Sequence, residues 1–63
     1  EIPGVDLENI SVNATSWSVT IMAERDHLKF YSHIPLPVPV IPKVEELTYR
    51  NGVLSFILYR NLP

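Results

Sequence analysis

Cysteine is missing from this sequence altogether, which excludes disulfide bonds and metal sites built from thiolates. Histidine is scarce, with only His27 and His33 present. An even spacing on an extended strand places two side chains on one face but well apart. A metal ion needs further converging ligands, and the sequence has no cluster of histidine and carboxylate residues to supply them. The sequence therefore predicts no metal site and no cofactor.

The patterns that usually mark catalysis are missing too. There is no cysteine nucleophile, the two glycines form no phosphate-binding loop, and no pair of carboxylates is placed to face inward. Asp26 next to His27 fits a polar turn better than an acid–base pair. We therefore predict no catalytic residues and no enzyme activity.

Positive charge is too sparse and too dispersed to form a binding surface. The formal net charge is −2, and the five lysines and arginines are scattered along the chain. A nucleic-acid interface requires a basic stripe, so nucleic acid is not an expected partner. No apolar run approaches the roughly eighteen residues of a membrane span, and no signal peptide is visible. The expected setting is the cytoplasm, without membrane binding.

The length of 63 residues allows one domain, residues 1–63. A chain of this size buries only about 60% of the surface that its unfolded form exposes, so its stability is expected to be marginal. Domains this small usually rely on disulfides, a metal or a partner. With the first two excluded, contact with another protein or attachment to a larger chain is the expected support. The start at Glu1 indicates an excised domain or a processed chain.

The strongest local signal is Asn51-Gly52, which separates two apolar runs within residues 47–60. A two-residue type I′ turn needs positive φ at both central positions, which glycine adopts freely and asparagine adopts more readily than most residues. The dipeptide therefore predicts a β-hairpin. The second arm, residues 53–59, is apolar on both faces apart from one serine, which predicts a strand that is central in its sheet or covered on both faces.

Three earlier segments have strand character. None of them is long enough to form a long helix. Apolar side chains alternate in Ile10–Ala14, in residues 17–24 and in residues 29–36. In the second of these, Trp17 and Val19 are expected on one face. Polar breaks at residues 15–16 and 25–27 separate the strands.

Proline and glycine mark the remaining segments. Four of the eight residues 35–42 are proline, which has no N–H for a central strand, so an extended connection is expected there. Pro3 and Gly4 indicate an extended segment that ends in a turn, and Asp6 is placed to cap a short turn. About five strands without a credible helix predict an all-β sandwich or partial barrel.

Two blocks of the sequence resemble the α-crystallin domain of the small heat-shock proteins. The family opens with Leu/Ile-Pro-Gly, a Val-Asp pair, Ile-x-Val and an apolar strand ending in Ala/Gly-x-Arg, similar to EIPGVDLENISVNATSWSVTIMAER, residues 1–25. It closes with Leu-Pro, a Val-x-Pro step and Asn/Asp-Gly-Val-Leu, similar to IPLPVPVIPKVEELTYRNGVLSFIL, residues 34–58. The resemblance implies a small antiparallel immunoglobulin-like β-sandwich of about five to six strands.

The chain departs from this family in three places. Leu47 stands where the family usually has alanine, which changes only local packing. Only residues 26–28 separate Arg25 from the next strand, so the loop through which many members exchange a strand to form dimers is missing. Nothing after Arg60 resembles the Ile-x-Ile/Val tail that links members into large assemblies. This trimmed form resembles the module attached to ATPases of the arsenite-pump and tail-anchored-protein-targeting family.

The resemblance implies an ATP-independent chaperone-like domain of the stress-response type that binds protein. Its partners would be unfolded clients, a second copy or a fused ATPase domain. In the family, clients and tails occupy an apolar groove, which here implies a groove lined by Val19, Ile21, Met22, Leu47 and Tyr49. Ordinary core positions are the alternative for these five residues. Two other functions stay open: a structural accessory domain of an arsenite-type ATPase, and a co-chaperone interaction module like the CS domain.

Overall fold

The protein is an all-β domain in a computed structural model that describes residues 9–62. Five strands form two antiparallel sheets, and no α-helix occurs in the described part of the chain, which confirms the predicted small β-sandwich. The strands are β1 (Ile10–Ala14), β2 (Ser18–Arg25), β3 (Leu28–Pro35), β4 (Glu45–Arg50) and β5 (Val53–Ile57). The turns predicted around Pro3, Gly4 and Asp6 lie outside the described residues.

The larger sheet has the order β1-β2-β3 with a regular register. Ala23 of β2 lies between Ile10 of β1 and Phe30 of β3. Residues directly opposite in antiparallel strands share a face, so alternate residues give the sheet an inner and an outer face. The alternation predicted for Ile10–Ala14 is confirmed, because its apolar residues are the less exposed ones.

Two short turns join these three strands. After β1, the Thr15 N–H donates to the Ser18 carbonyl at 2.9 Å, and the Trp17 N–H donates to Thr15 Oγ1 at 3.1 Å. Trp17 therefore lies in this turn with 57% of its surface exposed, and the prediction that it shares a strand face with Val19 is wrong.

The turn between β2 and β3 consists of Asp26 and His27 only, with Asp26 at a φ of 52°. Asp and Asn adopt this left-handed region more readily than most residues. Arg25 belongs to β2 rather than to the predicted break, and β3 runs one residue earlier than predicted.

The predicted hairpin forms the second sheet. Asn51 and Gly52 both have positive φ, 52° and 78°, as a type I′ turn requires. The prediction that the second arm is central or covered on both faces is wrong within the described residues, because β5 pairs with β4 alone and one of its faces is exposed. Val53 and Ile57, on its outer side, are 46% and 37% exposed.

The proline-rich connection ties the two sheets together at one end. Val40 forms an isolated antiparallel bridge with Arg60, and its N–H donates to the Ser16 carbonyl at 2.8 Å. The Ile41 N–H donates to the Tyr59 carbonyl at 2.8 Å. The segment is thus an irregular connection rather than a central strand, as its prolines predict.

The core of the described residues is very small. Its buried apolar side chains are Ile10, Val19, Ala23 and Val40. Tyr49 and Leu54 of the hairpin pack with Val12 against Ile10 and Ala23, so the second sheet lies over β1 and β2. Such limited burial agrees with the marginal stability expected from the length.

Candidate protein-binding surface

Among residues 9–62, nothing covers the inner face of β3, although this face continues the one that forms the core. Leu28, Phe30, Ser32 and Ile34 share this face, since they pair with Arg25, Ala23, Ile21 and Val19 of β2. We name these four β3 residues the β3 strip. Leu28 is 60%, Phe30 46% and Ile34 41% exposed. A contiguous strip of large apolar side chains exposed to solvent on a sheet is typical of an interaction surface.

The backbone of β3 also has one free edge within the described sheet. The Leu36 N–H donates to the Trp17 carbonyl at 2.8 Å. From Pro35 back to Leu28, β3 pairs with β2 without a register shift. In an antiparallel ladder, alternate residues direct both N–H and C=O toward the same neighbour. The even-numbered residues of β3 therefore bond to β2, while Lys29, Tyr31 and His33 direct their backbone groups away from the sheet.

The outer face of the same sheet carries a shallow depression of about 370 Å³. Its lining includes Met22, Glu24, Lys29 and Tyr31. Tyr31 is 70% and Met22 44% exposed. The lining mixes apolar, cationic and anionic groups without a concentrated charge, so it offers a ligand no single dominant interaction.

Polar contacts around β2 and β3 are few and exposed. Thr20 Oγ1 and His33 Nδ1 lie 3.0 Å apart on the outer face. Arg25 Nε and Asp26 Oδ2 lie 3.9 Å apart with both side chains largely in solvent, and exposed ion pairs of this kind contribute at most about 1 kcal/mol. Within residues 9–62 no group of histidine and carboxylate residues is placed to hold a metal ion.

The resemblance implied three groove residues on β2. The structure places these three in different environments. Val19 is only 2% exposed, so its side chain offers no surface to a ligand. Ile21 is half-buried on the same inner face, opposite Ser32 of the β3 strip. Met22 pairs with Tyr31 and lies on the outer face. Strand alternation alone places Met22 away from the other two.

The two implied groove residues on β4 differ in their exposure. Tyr49 packs on the core, and its hydroxyl is buried without a hydrogen-bond partner among residues 9–62. Leu47 is 38% exposed and lies in an irregular stretch of β4, where the register shifts between Glu45 and Thr48. Glu46 in this stretch has a φ of 51°. The five residues therefore do not line one groove.

The exposed apolar residues of β3 were not among the predicted site residues. The alternation of Phe30, Ser32 and Ile34 is visible in the sequence, but it reads as an ordinary half-buried strand. The one available signal was the predicted count of about five strands, since an odd number of strands makes the two sheets of a sandwich unequal. Which strand is left uncovered depends on how the sheets pack.

Comparison with models of protein families, with curated proteins and with solved structures found no match to this chain. Among residues 9–62, no helix has the length and apolar character needed to cross a membrane.

Proposed function

We propose that this chain is a non-catalytic protein-binding domain that holds extended apolar polypeptide segments without ATP. The observation that carries the proposal is the β3 strip beside a free strand edge. Leu28, Phe30 and Ile34 offer apolar area, and the neighbouring backbone groups offer hydrogen bonds. An added strand uses both features, with its main chain giving affinity and alternate side chains giving selectivity.

The energy available on this surface favours weak, reversible binding. The exposed parts of the three large side chains amount to roughly 300 Å² if a full side chain presents about 200 Å². Covering apolar surface contributes roughly 25 cal/mol per Å², from which the ordering of a flexible segment must be subtracted. Binding in the micromolar range or weaker follows. Such weak binding suits a domain that holds many segments, each of them briefly. The cytoplasm is the location that we propose.

The resemblance to the α-crystallin domain supports this class of function, although the strip differs from the groove implied there. A second candidate is a structural accessory domain whose apolar surface is covered by a fused partner such as an ATPase. The very small core favours this candidate. Within residues 9–62, the buried apolar side chains are only those of Ile10, Val19, Ala23 and Val40. The two functions differ in whether the free domain binds unfolded segments.

The decisive experiment measures binding of fluorescent extended peptides with alternating apolar residues, alongside suppression of aggregation of a heated client. Phe30→Thr removes the largest side chain of the strip and retains strand propensity. Tyr59→Thr is the matched control, since Tyr59 is a similarly exposed aromatic residue, 53% against 46%, outside the strip.

We expect Phe30→Thr to weaken peptide binding about fivefold or more and Tyr59→Thr to change it less than twofold. Loss of client protection should follow the loss of peptide binding. Failure of the unaltered domain to bind peptides or protect a client would overturn the holding function and leave the accessory function. Equal effects of the two variants would exclude the β3 strip as the site.

A further inference from the structure

We propose that Asn51 is a deamidation site whose reaction is blocked by the folded turn and proceeds only when the β4–β5 hairpin opens. The side-chain amide is converted to a carboxylate, with water consumed and ammonia released. The nucleophile is the backbone nitrogen of Gly52, so the reaction needs no further protein. Carboxylate that accumulates at this position then reports how often the second sheet has opened.

The sequence around Asn51 contains the groups that this reaction requires. The Gly52 nitrogen attacks Cγ of Asn51 and forms a five-membered succinimide ring, while the side-chain nitrogen leaves as ammonia with the proton that Gly52 gives up. Water then opens the ring at one of its two carbonyl carbons. Glycine presents no Cβ to the approaching side chain, whereas the other three asparagines are followed by Ile10, Ala14 and Leu62. Asn51 is therefore the most reactive asparagine in an open chain.

The folded turn holds the reacting atoms apart. Asn51 and Gly52 have φ values of 52° and 78°. The first central residue of a type I′ turn has a ψ of about +30°, which places the Asn51 Cβ atom nearly opposite the Gly52 nitrogen across the Cα–C bond. Ring closure requires the two atoms to lie on the same side of this bond. The native turn therefore cannot form the succinimide, although Asn51 is exposed to solvent.

Packing of the hairpin against the larger sheet keeps the turn closed. Arg50 pairs with Val53 next to the turn, and Tyr49 pairs with Leu54. Tyr49 and Leu54 also pack against the core. A two-stranded hairpin by itself is at best marginally stable in water, so release of these two side chains from the core lets the turn open. Local openings of this kind need less free energy than complete unfolding.

One of the two products cannot return to the native hairpin. Ring opening at the side-chain carbonyl restores an ordinary backbone with aspartate at position 51, and Asp-Gly suits a type I′ turn. Ring opening at the backbone carbonyl leads the chain through the former side chain and gives isoaspartate, which adds one carbon to the backbone. The longer turn no longer matches the pairs Arg50–Val53 and Tyr49–Leu54. Isoaspartate therefore makes the opening of the second sheet irreversible.

Mass spectrometry of proteolytic peptides measures the reaction directly. The chain is kept in mildly alkaline buffer at physiological temperature, with and without strong urea, and conversion of Asn51 is followed with time. We expect conversion to be at least about tenfold slower without urea, because a reaction that requires opening follows the open fraction. In urea, Asn51 should react several-fold faster than Asn13, which precedes Ala14. A synthetic peptide of residues 47–56, with and without urea, corrects for any direct effect of urea.

A matched pair of leucine variants tests whether the hairpin controls the rate. Leu54→Ala shortens a half-buried side chain that packs on the core, and it should speed conversion in the folded chain about fivefold or more. Leu28→Ala makes the same change at a residue of β3 that is 60% exposed, and it should alter the rate less than about twofold. In urea, both variants should react as fast as the unaltered chain. Leu54→Val, a milder change, should give a smaller acceleration in a chain that circular dichroism shows to be folded.

The products are compared after chromatographic separation. Asn51→Asp represents the aspartate product and should keep a folding equilibrium close to that of the unaltered chain. The isoaspartate form should have a folding equilibrium constant at least about tenfold lower than Asn51→Asp, because its strands cannot keep their register. Chemical denaturation followed by circular dichroism gives both values.

Each result decides the proposal. Equal rates with and without urea, after correction by the peptide, overturn it, since the folded turn would then not block the reaction. Equal acceleration by Leu54→Ala and Leu28→Ala overturns the role of the hairpin, and Asn13 reacting as fast as Asn51 in urea overturns the choice of site. An isoaspartate form as stable as Asn51→Asp overturns irreversible opening. These measurements do not involve peptide binding, so their failure and the failure of the proposed function are distinguishable.

Discussion

Val19 and Ile34 lie directly opposite each other on the inner face of the larger sheet, yet their exposures differ from 2% to 41%. Both are β-branched aliphatic residues on adjacent strands. Within residues 9–62, Tyr49 and Leu54 of the hairpin pack with Val12 against Ile10 and Ala23 of β1 and β2, whereas Ile34 lies on a strand that this packing does not include. The boundary between core and binding surface thus runs between these two side chains.

Truncating this pair should separate stability from binding. Val19→Ala removes enclosed methyl groups, and we expect it to lower the free energy of unfolding by about 1–3 kcal/mol. Ile34→Ala should cost less than about 1 kcal/mol, because much of the side chain is already in water. Urea unfolding followed by circular dichroism gives both values. Equal losses in the two variants would contradict the described division between core and surface.

The hairpin turn should depend on the glycine. Gly52 has a φ of 78°, and a residue with a Cβ in the left-handed region costs about 1–2 kcal/mol. Gly52→Ala should lower the free energy of unfolding by about that amount. The control is Asn51→Gly, which retains the φ of 52° and should change stability by less than about 0.5 kcal/mol. Denaturation midpoints measured at one protein concentration provide the comparison, and a neutral Gly52→Ala would argue against a type I′ turn.

The irregular stretch of β4 offers a stabilising substitution. Glu46 has a φ of 51°, a conformation in which a Cβ atom destabilises the backbone. Its side chain is exposed, so no buried contact offsets this destabilisation. Glu46→Gly should raise the free energy of unfolding by up to about 1 kcal/mol, after the entropy of glycine in the unfolded chain is included. Thr48→Gly, at an exposed strand position paired directly with Ser55, should lower it by about 0.5–1 kcal/mol. Opposite signs in thermal unfolding are the expected result.

The buried hydroxyl of Tyr49 should be dispensable. It has no hydrogen-bond partner among residues 9–62, and an unpaired buried polar group destabilises a fold by about 1–3 kcal/mol. Tyr49→Phe should therefore leave stability unchanged or raise it by up to that amount. A clear loss of stability in chemical denaturation would show that the hydroxyl is satisfied by a group outside the described residues.

Local features of this fold could be predicted from the sequence because local chemistry determines them. The bounds of Ile10–Ala14 follow from alternation, and the turn at Asn51 and Gly52 follows from the conformations that these residues adopt. Prolines exclude a central strand in residues 35–42, in agreement with the irregular connection there. These features need no knowledge of what lies opposite them.

The site could not be predicted in the same way because it depends on which faces the sheets cover. Residues 53–59 are apolar on both faces, which indicates a central or covered strand, but in the described structure β5 pairs only with β4 and one of its faces is exposed. Phe30 and Val19 have similar alternating apolar surroundings in sequence, and only the folded structure distinguishes them, since they are 46% and 2% exposed. Including Met22 among the groove residues was avoidable, since strict alternation from Val19 already places it on the opposite face.

The bridge between Val40 and Arg60 has a further consequence, for the order in which the chain assembles. All three hairpins connect neighbouring strands through turns of two or three residues, so they can form early from nearby residues. The bridge instead brings together three segments around residues 16, 40 and 60, and its loops must close before any of its bonds are gained. The joining of the two sheets is therefore the slow and late event, and a nascent chain must emerge as far as residue 60 before its fold can be completed.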